Sequence, residues 1–498
     1  MEQYVEHELN RNLLQKVFGS TKVYESSVTN LGECTLAMVK QGNKRYLLAE
    51  GQGPIFEELE GTVKESFKLA PLTHQNRLVL NKYLPYTIPV ANTKRKNSIG
   101  LGDRLGEATF GHIKALKDSD AFPIFAQQSI RELNFTKRTY AQVIDCAAFA
   151  VFQEGYTSGY GADGDHLKKS EEIIQELDLG ATMITLDSSE KIDNEIINLT
   201  PTQVKKRYEA IPEDIRTHFE SEYLGKTFAL GEGSLKFEPL QLQKDILTYY
   251  KAIDFIEEIH RDIIVQSERP LDFEISIDET ATPTLPESHL LIALELKRRN
   301  IKISTLAPRF IGEFQKGIDY IGDLALFEED LNKHIAISEA FGYRLSIHSG
   351  SDKFSIFPIL AKNIKGSFHV KTAGTNYLEA LKLVALKDAQ LYREIHTHAL
   401  ERFSDATNFY HVTTDLSAIK PLCEVSDAEL PTYLRDNNAR QLLHITFGYI
   451  LQDKDEKGSF LFKDRLYTLL SDEEDAYKDL LAQHIGKHLE LLGFNRKQ

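Results

Sequence analysis

Arg344-Leu345-Ser346-Ile347 leads directly into His348-Ser349-Gly350-Ser351-Asp352-Lys353, a short strand-like run that stops in a cluster of polar side chains. From about Asn97 the same texture repeats: short apolar runs alternate with longer stretches of helical spacing. That alternation is the mark of βα units feeding a parallel sheet. The expected strands are 98–101, 123–128, 158–163, 182–186, 272–277, 302–306, 344–347 and 367–371. Eight parallel strands close a barrel, so the expected fold is α/β, a (β/α)8 TIM-type barrel. A doubly wound sheet is the alternative if the count is off by one strand.

Outside this core the sequence divides into an N-terminal α+β extension (1–95), the barrel region (96–375) and a helical C-terminal part (376–498). In the extension, apolar runs at 35–40 and 44–49 flank Gln41-Gly42-Asn43, which reads as a hairpin. Its expected role is a structural cap or the contact of a homo-oligomer. A long insertion, 188–271, follows the fourth strand, with a helix at 240–260. Helical periodicity also covers 376–403 and 439–451. No Gly/Ser/Pro-rich linker separates these parts, which therefore pack as one body.

The 74 acidic side chains outnumber 59 basic ones, a formal charge of −15. Nucleic-acid and anionic-membrane partners need a basic face and are excluded on that ground. An anionic small molecule is not, because a pocket can be locally cationic. Cys34, Cys146 and Cys423 are odd in number, widely spaced and lack a CxxC pair, as expected of buried thiols in a reducing compartment. The first residues lack the basic and apolar regions of a secretory signal, and no apolar run reaches the ~20 residues of a membrane helix. The expected location is the cytoplasm.

Barrel enzymes place catalytic groups at the carboxyl ends of their strands, and each expected strand here ends in a polar cluster. Asp165, His166, Asp187, Glu274, Glu279, His348 and His369 are possible metal ligands in that ring. Mixed imidazole and carboxylate donors suit Zn²⁺, Mn²⁺, Ni²⁺ or Co²⁺ rather than Ca²⁺. Arg104, Arg309, Lys353 and Lys371 are the cations that could hold an anionic substrate, Arg as a fork and Lys as a point charge. The glycine-rich stretch Gly100-Leu101-Gly102-Asp103-Arg104-Leu105-Gly106 has its third Gly one place late for a dinucleotide site, and reads as a loop lining the substrate pocket. His396 and His398 read as surface or packing residues, and His444 as a satisfied core histidine.

In these loops the chain resembles the tagaturonate/fructuronate epimerase family. The matching segments include Gly161-Ala162-Asp163-Gly164-Asp165-His166-Leu167-Lys168, Ser276-Ile277-Asp278-Glu279-Thr280, Ala307-Pro308-Arg309-Phe310, the 348–353 cluster and Lys371-Thr372-Ala373-Gly374-Thr375. Tyr410-His411-Val412-Thr413-Thr414-Asp415 and Leu443-His444-Ile445-Thr446-Phe447-Gly448 extend it toward the C-terminus. The resemblance implies a divalent-metal enzyme interconverting D-tagaturonate and D-fructuronate, with a ketouronate or ketohexose as its small-molecule partner. C4 of these ketoses is β to the carbonyl, so enolisation does not acidify its proton, and retro-aldol cleavage with re-addition is the cheaper route.

Residue type then assigns His166, His348 and His369 to the metal, with one carboxylate. Asp165 and Glu279 become the acid/base pair, while Arg309 and Lys371, with Arg104 and Lys353 nearby, hold the substrate carboxylate. The same ring would also serve an aldolase, a ketose isomerase, a metal-free glycosidase using Asp278 or Glu279, or a catalytically silent sugar-binding protein.

Overall fold

The computed structural model describes residues 9–231 and 233–495. Eight parallel strands form a closed barrel: β1 (Ser98–Leu101), β2 (Phe122–Ser129), β3 (Gly161–Leu167), β4 (Met183–Asp187), β5 (Asp272–Ile277), β6 (Thr305–Pro308), β7 (Arg344–Ile347) and β8 (His369–Thr372). Closure is made where β1 pairs with both neighbours, Ser98 opposite Phe122 on one side and His369 on the other. The doubly wound alternative is thereby eliminated. β4 and β5 pair directly, Met183 opposite Asp272, even though the long insertion separates them in sequence.

Strand pleating decides what fills this barrel, because alternate residues face opposite sides. On β5, Phe273, Ile275 and Ile277 join the main hydrophobic core beneath the surrounding helices, as do Ile184 and Leu186 of β4 and Leu345 and Ile347 of β7. The intervening positions are polar and buried: Asp272, Glu274 and Ser276 on β5, Thr185 and Asp187 on β4, Arg344, Ser346 and His348 at β7. An apolar packed interior is the usual filling of such barrels. Here the filling is a hydrogen-bonded polar network.

Three strands are displaced from their expected bounds by two residues or more. The third runs on to Leu167 rather than stopping at 163, the sixth covers 305–308 rather than 302–306, and the eighth begins at His369. The third carries an irregularity: its register with β4 shifts between Gly164 and Leu167, and His166 sits at φ 59°. This bulge turns His166 to the same side as Asp165, which a regular strand would not do.

The insertion contains helices Pro201–Glu209, Glu213–Tyr223 and Pro239–Ile259 with a small hairpin between the last two. Near the N-terminus, Lys22–Leu31, Cys34–Gln41, Lys44–Gly51, Thr62–Lys64 and Phe67–Pro71 form an antiparallel sheet, with the hairpin turn at Gly42 as read. Each long C-terminal helical pattern is broken once. Thr375–Lys387 gives way to Ala389–Ala406 at Asp388, whose side chain caps Leu391 N at 2.9 Å. Asn437–Ile445 gives way to Phe447–Gln452 at Thr446, whose hydroxyl turns back to Leu442 O at 2.8 Å. Such side-chain bonds to backbone compete with helix propagation. Cys34, Cys146 and Cys423 are free thiols, but of the three expected to be buried only Cys34 is, while Cys146 is half-buried and Cys423 exposed. Among the described residues no helix is long and apolar enough to cross a membrane.

Candidate active site

A cavity of about 520 Å³ opens over the carboxyl ends of the barrel strands, lined among others by Asp165, His166, Asp187, Asp278, Glu279, Lys316, His348, Lys371 and His444. Its floor is a charge network centred on Lys371. The ammonium lies 2.6 Å from Asp165 Oδ1, 2.7 Å from Asp163 Oδ2 and 3.0 Å from Glu274 Oε1. Thr185 Oγ1 donates to Asp163 at 2.9 Å, and Thr305 Oγ1 to Glu274 Oε2 at 2.6 Å. Burial opposes a charge on Lys371, but the three carboxylates outweigh it and hold the ammonium well above the ordinary lysine range.

Directly above, the donor atoms of His166, Asp278 and His348 lie within 4.8 Å of one another. The two imidazole rings are 4.9 Å apart. Each is held from outside by a carboxylate: Asp165 Oδ1 sits 2.8 Å from His166 Nδ1, and Glu274 Oε1 sits 2.7 Å from His348 Nε2. The other nitrogen of His348, Nδ1, faces Asp278 Oδ1 at 3.1 Å. A carboxylate behind each imidazole fixes its tautomer and ring orientation, the arrangement found around metal-binding histidines. Burial disfavours a cation on His348, yet Asp278 and Glu274 overcome it and raise its pKa to about 10. The spot is therefore built for positive charge.

A family model described as tagaturonate epimerase, UxaE, matches residues 24–492. The chain belongs to the UxaE tagaturonate epimerase family. A tagaturonate/fructuronate epimerase from Thermotoga maritima is 40% identical over 477 residues, spanning 95% of this chain and 97% of its own length. The glycerol-complexed crystal structure of the fructuronate-tagaturonate epimerase UxaE from Cohnella laeviribosi superposes with a TM-score of 0.95 at 53% identity, covering 97% of this chain and 98% of that one. The native crystal structure of the Cohnella protein also gives a TM-score of 0.95, at 52% identity, covering 97% and 99%. This member of the UxaE family is accordingly an epimerase, in the isomerase class.

Within this family member the residues singled out by type fall into distinct places. His166 and His348 converge. His369 does not join them: it pairs in register with Ser98 and Ser346, one inward layer lower, and its Nδ1 is 2.9 Å from Ser98 Oγ. Asp165 is buried and committed to Lys371 and His166. Burial works against its charge, but Lys371 and then His166 hold the carboxyl far below the usual range. Glu279 stands half-exposed on the rim, 3.6 Å from Arg131 and 3.7 Å from Lys168.

The four cations are engaged. Arg104 binds Glu132 Oε1 at 2.8 Å and His444 O at 2.9 Å, and stacks on Phe447. Lys353 donates to the carbonyls of Gln315, Ile318 and Ser351, and burial pulls its pKa down to about 7. Arg309 reaches the Thr280 carbonyl and lines an adjoining cavity shared with Asp278 and His348. Lys371 is the centre of the floor.

Sequence reasoning left Asp278 out of the possible ligands and passed over Lys316, which lines the cavity. The period of two that orders Asp272, Glu274 and Ser276 points to Asp278 as the next inward residue. Lys316 lies in a loop, where no periodicity marks it. His444 is buried as expected but not satisfied, since neither ring nitrogen has a hydrogen bond. His396 packs against Tyr433, and His398 bonds Asp453 at 2.9 Å, both as packing residues.

Proposed function

We propose that this epimerase interconverts D-tagaturonate and D-fructuronate at C4, with one divalent cation held by His166, Asp278 and His348. The observation that carries the reading is the convergence of those three donors inside the cavity, in a chain of this family. The donor set fits Zn²⁺, Mn²⁺, Ni²⁺ or Co²⁺: two imidazoles, one carboxylate, and outer carboxylates to orient the rings. Bound there, such an ion supplies Lewis acidity for negative charge on the ketose oxygens, worth several kcal/mol.

The rest falls to the chain's own side chains. Glu279, at the rim between Arg131 and Lys168, takes the C4 hydroxyl proton. As the C4 carbonyl forms, the C3–C4 bond breaks and its electron pair passes into the C2–C3 fragment. The aldehyde turns and is re-attacked on its other face, and a carboxyl returns a proton to the new hydroxyl. A second acid/base group serves that step, because the hydroxyl forms on the opposite side. Asp187 is the candidate: its buried Oδ2 lies 3.4 Å from Lys168, with no closer partner among the described residues. Asp165 is better suited to orienting His166 than to moving protons, because Lys371 and His166 stabilise its charged form. The free thiols suit a reducing compartment, and we place the enzyme in the cytoplasm.

Incubating the metal-loaded protein with tagaturonate and following products by NMR tests this reading. Fructuronate is the expected product; two shorter fragments would make it an aldolase, and an aldose would make it an isomerase. Glu279→Gln should lower turnover about 10²–10⁴-fold, and full activity in that variant would remove Glu279 from the mechanism.

A further inference from the structure

A ketouronate brings its own negative charge, and the four cations expected to meet it are already engaged. A further cation of the cavity is less tightly held. Lys316 faces the cavity with a single hydrogen bond, 3.1 Å from its Nζ to Ser349 Oγ. On the same wall, His444 is fully buried, lines the cavity and, among the described residues, has both ring nitrogens unpartnered. Gly317 holds the two together: a Cβ there would sit 3.3 Å from His444 Cβ. The other charges on this wall are paired, Glu132 with Arg104 at 2.8 Å and Arg131 with Glu279 at 3.6 Å. A buried imidazole left without a partner is costly unless a ligand supplies one.

We propose that Lys316, Ser349 and His444 form the subsite that receives the substrate carboxylate, and that this wall sets the preference for sugar acids over neutral ketoses. The assignment rests on the epimerase reading above. Lys316 gives the point charge, while the serine hydroxyl and the imidazole N–H supply two further donors. A neutral ketose would put a hydroxymethyl group at this wall and leave the ammonium without its anion.

Two measurements test it. The first is kcat/KM for tagaturonate relative to tagatose in the wild type, Lys316→Met, Lys316→Arg and Ser349→Ala. The second is calorimetric binding of D-galacturonate against D-galactose, which differ in the carboxylate and require no turnover. In Lys316→Met both ratios should fall about 10–100-fold, the value of a charge-assisted hydrogen bond, through a higher KM with kcat little changed. Lys316→Arg should recover part of the loss, and Ser349→Ala should show a smaller drop, with melting curves like the wild type.

Unchanged ratios in both Lys316→Met and Ser349→Ala would overturn the proposal. So would a collapse confined to Arg309→Leu, which would move the carboxylate to the adjoining cavity. If the wild type does not epimerise tagaturonate but its preference for galacturonate still falls in Lys316→Met, the subsite stands and the reaction assignment fails.

Discussion

Two lysines face the same cavity and are built for opposite purposes. Lys371, on the floor, is surrounded by Asp163, Asp165 and Glu274 within 3.0 Å. Lys316, on the wall, has one serine hydroxyl. A saturated ammonium cannot gain much from an incoming anion, because its attraction is already balanced by carboxylates that would repel the newcomer. It can, however, fix those carboxylates in place, and two of them are the groups that orient His166 and His348. The floor therefore reads as architecture for the cation site, and the wall as the part that meets the substrate.

That contrast is open to attack, beginning where the effect is largest. Lys371→Met leaves three buried carboxylates without their cation, and should cost about 3–5 kcal/mol in chemical denaturation. Lys316→Met should cost about 1 kcal/mol or less, since a single hydrogen bond is lost. Similar losses in the two variants would erase the distinction. Asp165→Asn keeps the shape but weakens the orientation of His166, and should lower metal affinity about 10–100-fold by chelator competition. An unchanged affinity would detach Asp165 from the cation site.

A separate prediction concerns a carboxyl just outside the barrel. Glu176 packs behind Gly164, where a Cβ would lie 2.6 Å from its Oε2. Burial, with Asp163 and then Asp165 adding to it, raises Glu176 from its ordinary 4.5 to about 9. Among the described residues no cation compensates it as Lys371 compensates the floor. The folded state thus holds a proton that the unfolded chain releases above about 4.5. This contribution to stability is complete below that pH and is lost as pH rises through about 9. Glu176→Gln should flatten the fall in melting temperature between pH 5 and pH 9. A variant with the wild-type slope would show that Glu176 ionises normally.

The fold was legible because the texture that reveals a parallel barrel is local. Each strand announces itself by an apolar run and a polar stop, and all eight were found within a few residues. The site was legible only in part. Asp278 belongs to the same alternation as Asp272 and Glu274, yet its position one residue past the strand made it look like loop. His166 aims inward because of a bulge, which reverses what simple alternation predicts, so residue type found it where periodicity would have missed it. His369 has the right chemistry one layer too low, a difference of register that needs strand pairing to see. Arg104 and Lys353 carry the right charge, but their partners, Glu132 and the carbonyls of Gln315 and Ile318, come from elsewhere in the chain. Free and engaged cations look alike until the chain is folded.

In the proposed site His166, Asp278 and His348 together hold one divalent ion. Elemental analysis of the purified protein and of Asp278→Ala, each after equilibration with the same metal and gel filtration, tests it most directly. About one ion per chain is expected in the wild type, with a large loss in a variant that still melts cooperatively. Equal metal content in the two proteins, or full epimerase activity in a wild type stripped of all cations, would contradict it.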